Sequence, residues 1–322
     1  MGQPSIKPLP TTLSLDGLTA IVTGANVGLG LETSRQLLSL HLSHLIVAVR
    51  TQSKGDIAAS ELRQKYPDAR IDVRQLDLDD YISIRAFVQQ IRDEVKELDI
   101  VVLNAGLSLM DYQTAATGHE RVMQVNYYGN FLLAFGLLSL LETTSVRRGT
   151  PSRLTIVGSI GHHMHSLSWT PLEKQESIIA HFDDKKKFAR FQRYNDSKLL
   201  VAAFVQQLAD KVDPTHVIVN NVCPGFVAST NLDMNLPWLV RSGSSLARKV
   251  VGRTLEQGGR AIVWATVGQG PDSHGAFLNH NNISSPARIL AQPEGKQLKE
   301  KLWQETINEL ATIDLDVTKV VA

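Results

Sequence analysis

Between an apolar run at 19–23 and an amphipathic stretch opening Leu31-Glu32-Thr33, the chain reads Thr23-Gly24-Ala25-Asn26-Val27-Gly28-Leu29-Gly30. Three glycines placed between a strand and a helix constrain the fold more than any composition does. The turn demands backbone angles that side chains resist, and a pyrophosphate must reach bare amides at the positive end of a helix. An ordinary glycine-rich turn is the plain alternative, and the position at the first βα unit argues against it. Gly24, Asn26, Val27, Gly28, Leu29 and Gly30 are therefore candidate cofactor contacts.

The rest of the chain continues the pattern. Aliphatic and β-branched runs recur at 19–23, 45–49, 71–75, 100–103, 153–157 and 217–222, with intervals long enough for helices. Such alternation marks βαβ crossovers and a parallel sheet covered on both faces, so the expected class is α/β, a Rossmann-type doubly wound sheet. The intervals 31–40, 82–95 and 197–209 place apolar residues at helical spacing. The most apolar stretch, 131–141, is shorter than the roughly 20 residues of a membrane span, so it reads as a buried or dimer-facing helix and no stable membrane span is expected.

Two regions break the rhythm: a polar segment at 161–193 and a carboxyl-terminal part from 231. Ligands of open α/β sheets bind beyond the carboxyl ends of the strands, where such additions can shape a pocket. The expected organisation is one domain over 1–322, with a cofactor-binding core at 14–230, an insertion at 161–193 and a substrate-capping region at 231–322.

Lys and Arg number 33 against 32 Asp and Glu, so no positive field recruits a nucleic acid. The single cysteine, Cys223, excludes an internal disulfide and fits a reducing compartment. Residues 1–13 lack the basic start and apolar core of a secretory signal and read as a surface arm, which makes the cytoplasm the expected location.

Cofactor choice is set where the second strand ends, because a carboxylate there bonds a ribose hydroxyl and an arginine accepts a phosphate. The chain has Val49-Arg50-Thr51 and no acid, so Arg50 points to NADP(H) through a charge-assisted fork; the plain alternative is a solvated strand-end arginine. Tyr194-Asn195-Asp196-Ser197-Lys198 sets a phenol and an ammonium four residues apart, on one face of a helix. A nearby cation is expected to bring the phenol, ordinarily near pKa 10, toward working range as a proton exchanger.

Taken together, these motifs resemble the short-chain dehydrogenase/reductase family, over a span from Leu15 to about Leu310. The resemblance implies that Asp77 and Leu78 meet the adenine, although Asp77 also reads as a turn carboxylate, and that Asn104-Ala105-Gly106 supports the sheet beside the cofactor. It implies Ser159 as the group that bonds the reacting oxygen, and Asn126 as the holder of a water in a proton relay with Lys198. Pro224, Gly225 and Val227 would form the turn against the nicotinamide, with Ser229 or Thr230 on its carboxamide. Ser159 and Tyr194 are 35 positions apart, far more than in compact members, and such an insertion resembles the retinol dehydrogenase-like and protochlorophyllide reductase-like branches, while the stretch Glu294-Gly295-Lys296 through Leu302-Trp303 resembles their fungal members encoded with natural-product pathways. The implied activity is NADPH-dependent interconversion of a carbonyl and an alcohol, and the implied assembly is a homodimer through helices at 126–141 and 194–209. The apolar pocket helices suggest a lipophilic substrate.

Other classes fit parts of this pattern: an NADP-sensing binding protein, a sugar-nucleotide epimerase of the extended branch, or a reductase scaffold used for isomerisation or cyclisation. His162, His163 and His165 lack a second ligand cluster and read as loop or pocket-wall residues, not a metal site. The run Asp183-Asp184-Lys185-Lys186-Lys187 reads as a solvated segment, Trp169, Trp238 and Trp303 as pocket or core, and the sequons at 195–197 and 282–284 as incidental.

Overall fold

All five residues of the first strand, β1 (Thr19–Thr23), are buried, and the pleat sends them alternately into two cores. Ala20 and Val22 join one cluster, Ile21 the other. A strand buried on both faces belongs in the middle of a covered parallel sheet. In the computed structural model, which describes residues 3–173, 175–228, 252–314 and 317, β1 lies there.

The strands that follow are β2 (His44–Val49), β3 (Arg70–Gln75), β4 (Ile100–Leu103), β5 (Ser152–Val157), β6 (Val217–Cys223), β7 (Phe277–Asn279) and β8 (Asn282–Ser284). Their order is β3-β2-β1-β4-β5-β6-β7-β8, parallel throughout except for the β7–β8 pair. The order reverses between β1 and β4. At such a switch point neighbouring connections leave to opposite faces and open a crevice at the carboxyl ends of the strands. The six expected strands are present to within a residue at each end.

Helices α1 (Gly28–Ser39), α2 (Gln52–Lys65), α3 (Tyr81–Glu94) and α4 (Gly129–Arg148) cover the first half. The second half adds α5 (Ile178–Asp183), α6 (Arg193–Ala209), α7 (Leu255–Val267), α8 (Arg288–Ala291) and α9 (Pro293–Ala311). One core holds side chains of α1, α2 and α7, the other those of α3, α4, α6 and α9. No helical spacing announces α2, whose buried residues are only Gly55, Ala58, Ala59 and Leu62. It packs through missing side chains: a Cβ on Gly55 would lie 2.5 Å from Val73 and 2.6 Å from Val49.

The helix around 131–141 is longer than its apolar run. It begins at Arg121, passes through a π-turn at Gln124–Tyr128 and continues to Arg148, which by length and composition alone would suffice to cross a membrane. Its residues Phe131, Leu133, Leu137 and Leu141 are instead fully buried inside the chain.

In the described part of the carboxyl-terminal region, β7 extends the sheet, α7 covers one face and α9 lies along the other. Trp303 of α9 stacks on Phe204 with ring centres 4.8 Å apart and meets Phe135 edge-on at 6.1 Å. The Tyr127 hydroxyl and Thr306 Oγ1 share a hydrogen bond of 2.7 Å. The chain's own carboxyl-terminal helix thus packs on Phe135 of α4 and Phe204 of α6, in the two helices expected to carry a homodimer interface.

Trp303→Ala removes the largest side chain of that seam, so it is expected to lower unfolding free energy by about 3–5 kcal/mol, read from denaturant melts.

Candidate active site

The glycine turn after β1 adopts the expected geometry. Gly24 and Gly28 have φ of +65° and +60°, angles that side chains resist, and a Cβ on Gly30 would lie 2.4 Å from the Gly24 carbonyl. Val27 stands at the N-cap of α1 and gives no side-chain cap, so the first amides of that helix remain donors for an anion. Asn26 and Leu29 are partly buried on the same turn.

The end of β4 is tied to this turn. The Thr23 hydroxyl accepts the amides of Asn104 and Ala105, both at 2.9 Å, while Asn104 Nδ2 donates to the Thr23 carbonyl at 2.8 Å. At the end of β2, Arg50 is exposed, and its guanidinium forms no ion pair among the described residues. Asp77 is partly buried and takes up the turn role open to it, its Oδ1 accepting the Asp79 amide at 3.1 Å. Leu78 sends its side chain into the core and its carbonyl to Gln124 Nε2 at 3.0 Å.

Asn126 sits in the π-turn, a form of helix that concentrates at functional sites because it leaves backbone groups without their usual partners. Its amide is fully engaged: Oδ1 accepts the Leu107 amide at 2.8 Å, and Nδ2 donates to the Leu107 carbonyl and to Ser197 Oγ, both at 2.9 Å. Asn130, unremarked in the sequence, donates to the Val125 carbonyl at 2.8 Å and to the Asn126 carbonyl at 3.3 Å. Gly106 is needed beside this group, since a Cβ there would come within 3.1 Å of Asn126 Oδ1 and 3.7 Å of Lys198 Nζ.

Ser159 follows β5, partly buried, and its Oγ accepts the Gly161 amide at 3.0 Å. Ser159 also acts on the Tyr194 phenol, favouring its ionised form. Tyr194 and Lys198 share the first turns of α6, with the ammonium 5.6 Å from the centre of the tyrosine ring. Lys198 Nζ donates to the Val157 carbonyl at 2.8 Å, and burial pulls its pKa down to about 8.

Here the electrostatic expectation needs correcting. Burial pushes the Tyr194 phenol above its ordinary value, reinforced by Cys223 and only partly opposed by Ser159. Desolvation outweighs the neighbouring charge in this arrangement.

Several residues missed in the sequence hold the site. Asp196, fully buried inside the Tyr-Lys motif, accepts the Ser166 amide at 2.6 Å and hydroxyl at 3.0 Å, fastening the insertion to α6. Arg193, also fully buried, lies 3.8 Å from Glu120 and over the rings of Phe182 and Phe188. Asp183 is not part of a solvated run: its carboxylate takes the Glu120 amide at 2.7 Å and pairs with His119 at 2.8 Å, whose other nitrogen meets Glu309 at 3.0 Å. Burial opposes a charge on His119, yet the two carboxylates win and raise its pKa to about 9. Their signal in the sequence was charge placed close to the catalytic motif, indistinguishable from surface charge without the fold.

His162 is buried, its Nδ1 lies 2.6 Å from the Ser159 carbonyl, and its ring packs on Phe277. Trp303 is core, Trp169 is exposed, and Trp238 lies outside the described residues. Pro224, Gly225 and Val227 form the turn after β6; Ser229 and Thr230 lie outside the described residues.

The family model for short chain dehydrogenase matches residues 18–170 and 180–238. The chain belongs to the short chain dehydrogenase family. The gap in the match falls inside the insertion at 161–193, the part in which this family member departs from the common pattern. Its relatives include the short chain dehydrogenase macD of Penicillium terrestre, 42% identical over 97% of this chain and 96% of that protein. The short-chain dehydrogenase/reductase tropG of Talaromyces stipitatus is 41% identical over the same shares. Among solved structures, RhlG of Pseudomonas aeruginosa in an NADP active-site complex aligns with TM-score 0.62 at 21% identity, covering 84% of this chain and 97% of that one. L-sorbose reductase of Gluconobacter frateurii, complexed with NADPH and L-sorbose, aligns with TM-score 0.63 at 19% identity, covering 83% and 97%.

The position of Lys198 in this short chain dehydrogenase has a measurable cost. An amine held at about 8 when folded and near 10.5 when unfolded destabilises the fold wherever the unfolded chain binds the proton more tightly. Lys198→Met is therefore expected to be more stable than wild type at neutral pH, and the difference to shrink as pH rises from about 8 to 10.5, measured by denaturant melts across that range.

Proposed function

We propose that the chain is an NADP(H)-dependent oxidoreductase that interconverts a carbonyl and an alcohol on a lipophilic small molecule, with Tyr194 as the proton donor or acceptor. The observation that carries this reading is the placement of Tyr194 and Lys198 about one turn apart on α6, the ammonium 5.6 Å from the centre of the tyrosine ring, with Ser159 acting on the phenol and the uncapped amino end of α1 at the same end of the sheet.

The residues present fit a dinucleotide. Gly24, Gly28 and Gly30 leave the approach to the α1 amides bare, and the Arg50 guanidinium, which forms no ion pair among the described residues, stands where a ribose phosphate would lie. Asp77 and Leu78 would border the adenine through the turn after β3, Asn104, Ala105 and Gly106 the central strand end, and Pro224, Gly225 and Val227 the nicotinamide. Bound there, the nicotinamide would give or take the hydride. The chain's own part is position and proton transfer: Ser159 orients the reacting oxygen, Tyr194 moves the proton, and Lys198 makes the phenolate affordable once it turns from Val157 toward the reacting groups.

Substrate character is read from the rim. Ile160 follows Ser159, Phe226 follows Gly225, and Phe191 precedes α6 by two residues, and all three are exposed. Met164 is exposed as well, and its carbonyl accepts from Asn195 of α6 at 3.4 Å. Apolar side chains left in water around a polar centre favour a lipophilic ligand. The resemblance to fungal natural-product members, with relatives in Penicillium and Talaromyces, supports a place in secondary metabolism.

Tyr194→Phe is expected to cut turnover by about 10²–10⁴-fold while NADPH still binds, as followed by cofactor fluorescence; a variant that retains activity removes Tyr194 from its role. Arg50→Ala is expected to raise the KM for NADPH roughly 10- to 100-fold and leave that for NADH unchanged, the loss of one charge-assisted contact. An enzyme that prefers NADH and ignores the substitution defeats the cofactor assignment.

A further inference from the structure

The turn Pro224-Gly225-Phe226, which this reading sets against the nicotinamide, is held from behind by two residues far away in the chain. Gln3 treats Phe226 as a strand neighbour would: its Nε2 donates to the Phe226 carbonyl at 2.7 Å, and its Oε1 accepts the Phe226 amide at 2.8 Å. Arg253 is buried with only 3% of its surface exposed. Its Nη1 donates to the Pro224 carbonyl at 3.2 Å, and its Nη2 reaches the Pro4 carbonyl at 2.7 Å and His280 Nδ1 at 2.6 Å. Its backbone amide donates to the Phe226 carbonyl at 2.8 Å, and the Ala228 amide returns to its carbonyl at 2.9 Å.

The two side chains lie flush on the glycine. Gly225 has φ of +86°, and a Cβ there would stand 2.2 Å from Arg253 Nη1 and 2.6 Å from Gln3 Oε1. Glycine at this position is therefore required twice, by the turn's backbone angle and by the two side chains seated against it. A buried guanidinium is costly unless its donors are used, and here three acceptors from three segments use them.

We propose that Gln3 and Arg253 are positioning residues for cofactor binding, which fix the Pro224–Phe226 turn so that the nicotinamide end of the dinucleotide meets a preformed surface. The segment at residues 3–6 is then part of the active-site scaffold and not a loose surface arm; Ile6, buried to 4% exposure, anchors it. Preforming the turn removes an ordering cost that the cofactor would otherwise meet, and small displacements of such surfaces have large effects on reaction rate. The proposal rests on the NADP(H) reading above.

The test compares wild type, Gln3→Met and Arg253→Lys for binding of two probes: NADPH, and adenosine diphosphoribose carrying the same ribose phosphate but no nicotinamide. Gln3→Met keeps the length of the side chain and deletes both hydrogen bonds to Phe226; Arg253→Lys keeps the charge and deletes the fork. Each variant is expected to weaken NADPH binding roughly five- to tenfold while the nicotinamide-free probe binds as it does to wild type. Equal weakening of both probes, or a lowered Tm with both affinities intact, would assign Gln3 and Arg253 to general stability and overturn the proposal. A wild type that binds neither probe would overturn the NADP(H) reading instead.

Discussion

The site depends first on the knot at the switch point of the sheet, where the buried Thr23 hydroxyl accepts the amides of Asn104 and Ala105. It fixes the ends of β1 and β4 against each other at the place where their connections diverge. From it a continuous line of contacts runs to the catalytic helix. Residues 104–107 bring the Leu107 backbone to the Asn126 amide, Asn126 donates to Ser197, and Ser197 Oγ donates to the Tyr194 carbonyl at 2.7 Å. Lys198 closes the line on the end of β5 through the Val157 carbonyl. Every bond in the line is buried or partly buried, where a lost partner costs more than the bond itself contributes.

The insertion is held by a different kind of interaction. Between 161 and 193 little apolar surface is buried beyond Leu167, Ile178 and Phe182, and the segment is fastened by charge: Asp196 to Ser166, Asp183 to Glu120 and His119, Arg193 beside Glu120. Such contacts are directional, which suits a wall that must keep its shape with few hydrophobic contacts. They also couple it to α9, because His119 is shared between Asp183 of the insertion side and Glu309 of that helix. The charges near α6 therefore act as fasteners, and the apolar residues Ile160, Met164 and Phe191 are left exposed.

Much of this was legible in residue order. Strand positions could be read because a doubly covered strand is continuously apolar, and the glycine turn because three glycines there serve no other purpose as economically. The pairing of Tyr194 with Lys198 followed from helical spacing alone. Harder to read were α2, whose packing face is made of Gly and Ala, and Asp183, whose neighbours Lys185 and Lys186 are as solvent-facing as they look. Charge runs carry no mark that tells the half-buried members from the exposed ones.

By itself the sequence determined the strands, the bare helix terminus and the pairing of Tyr194 with Lys198 on one helix face, because each is set by residues close together along the chain. Only the tertiary structure decided how that pair is set, since the bond from Lys198 to Val157 depends on a strand 41 positions away in sequence. It also decided that α9 fills the groove between α4 and α6, and that Gln3 reaches Phe226 across 223 positions. Long-range contacts of this kind depend on where the packed sheet brings distant segments together, and no local pattern of residues encodes that distance.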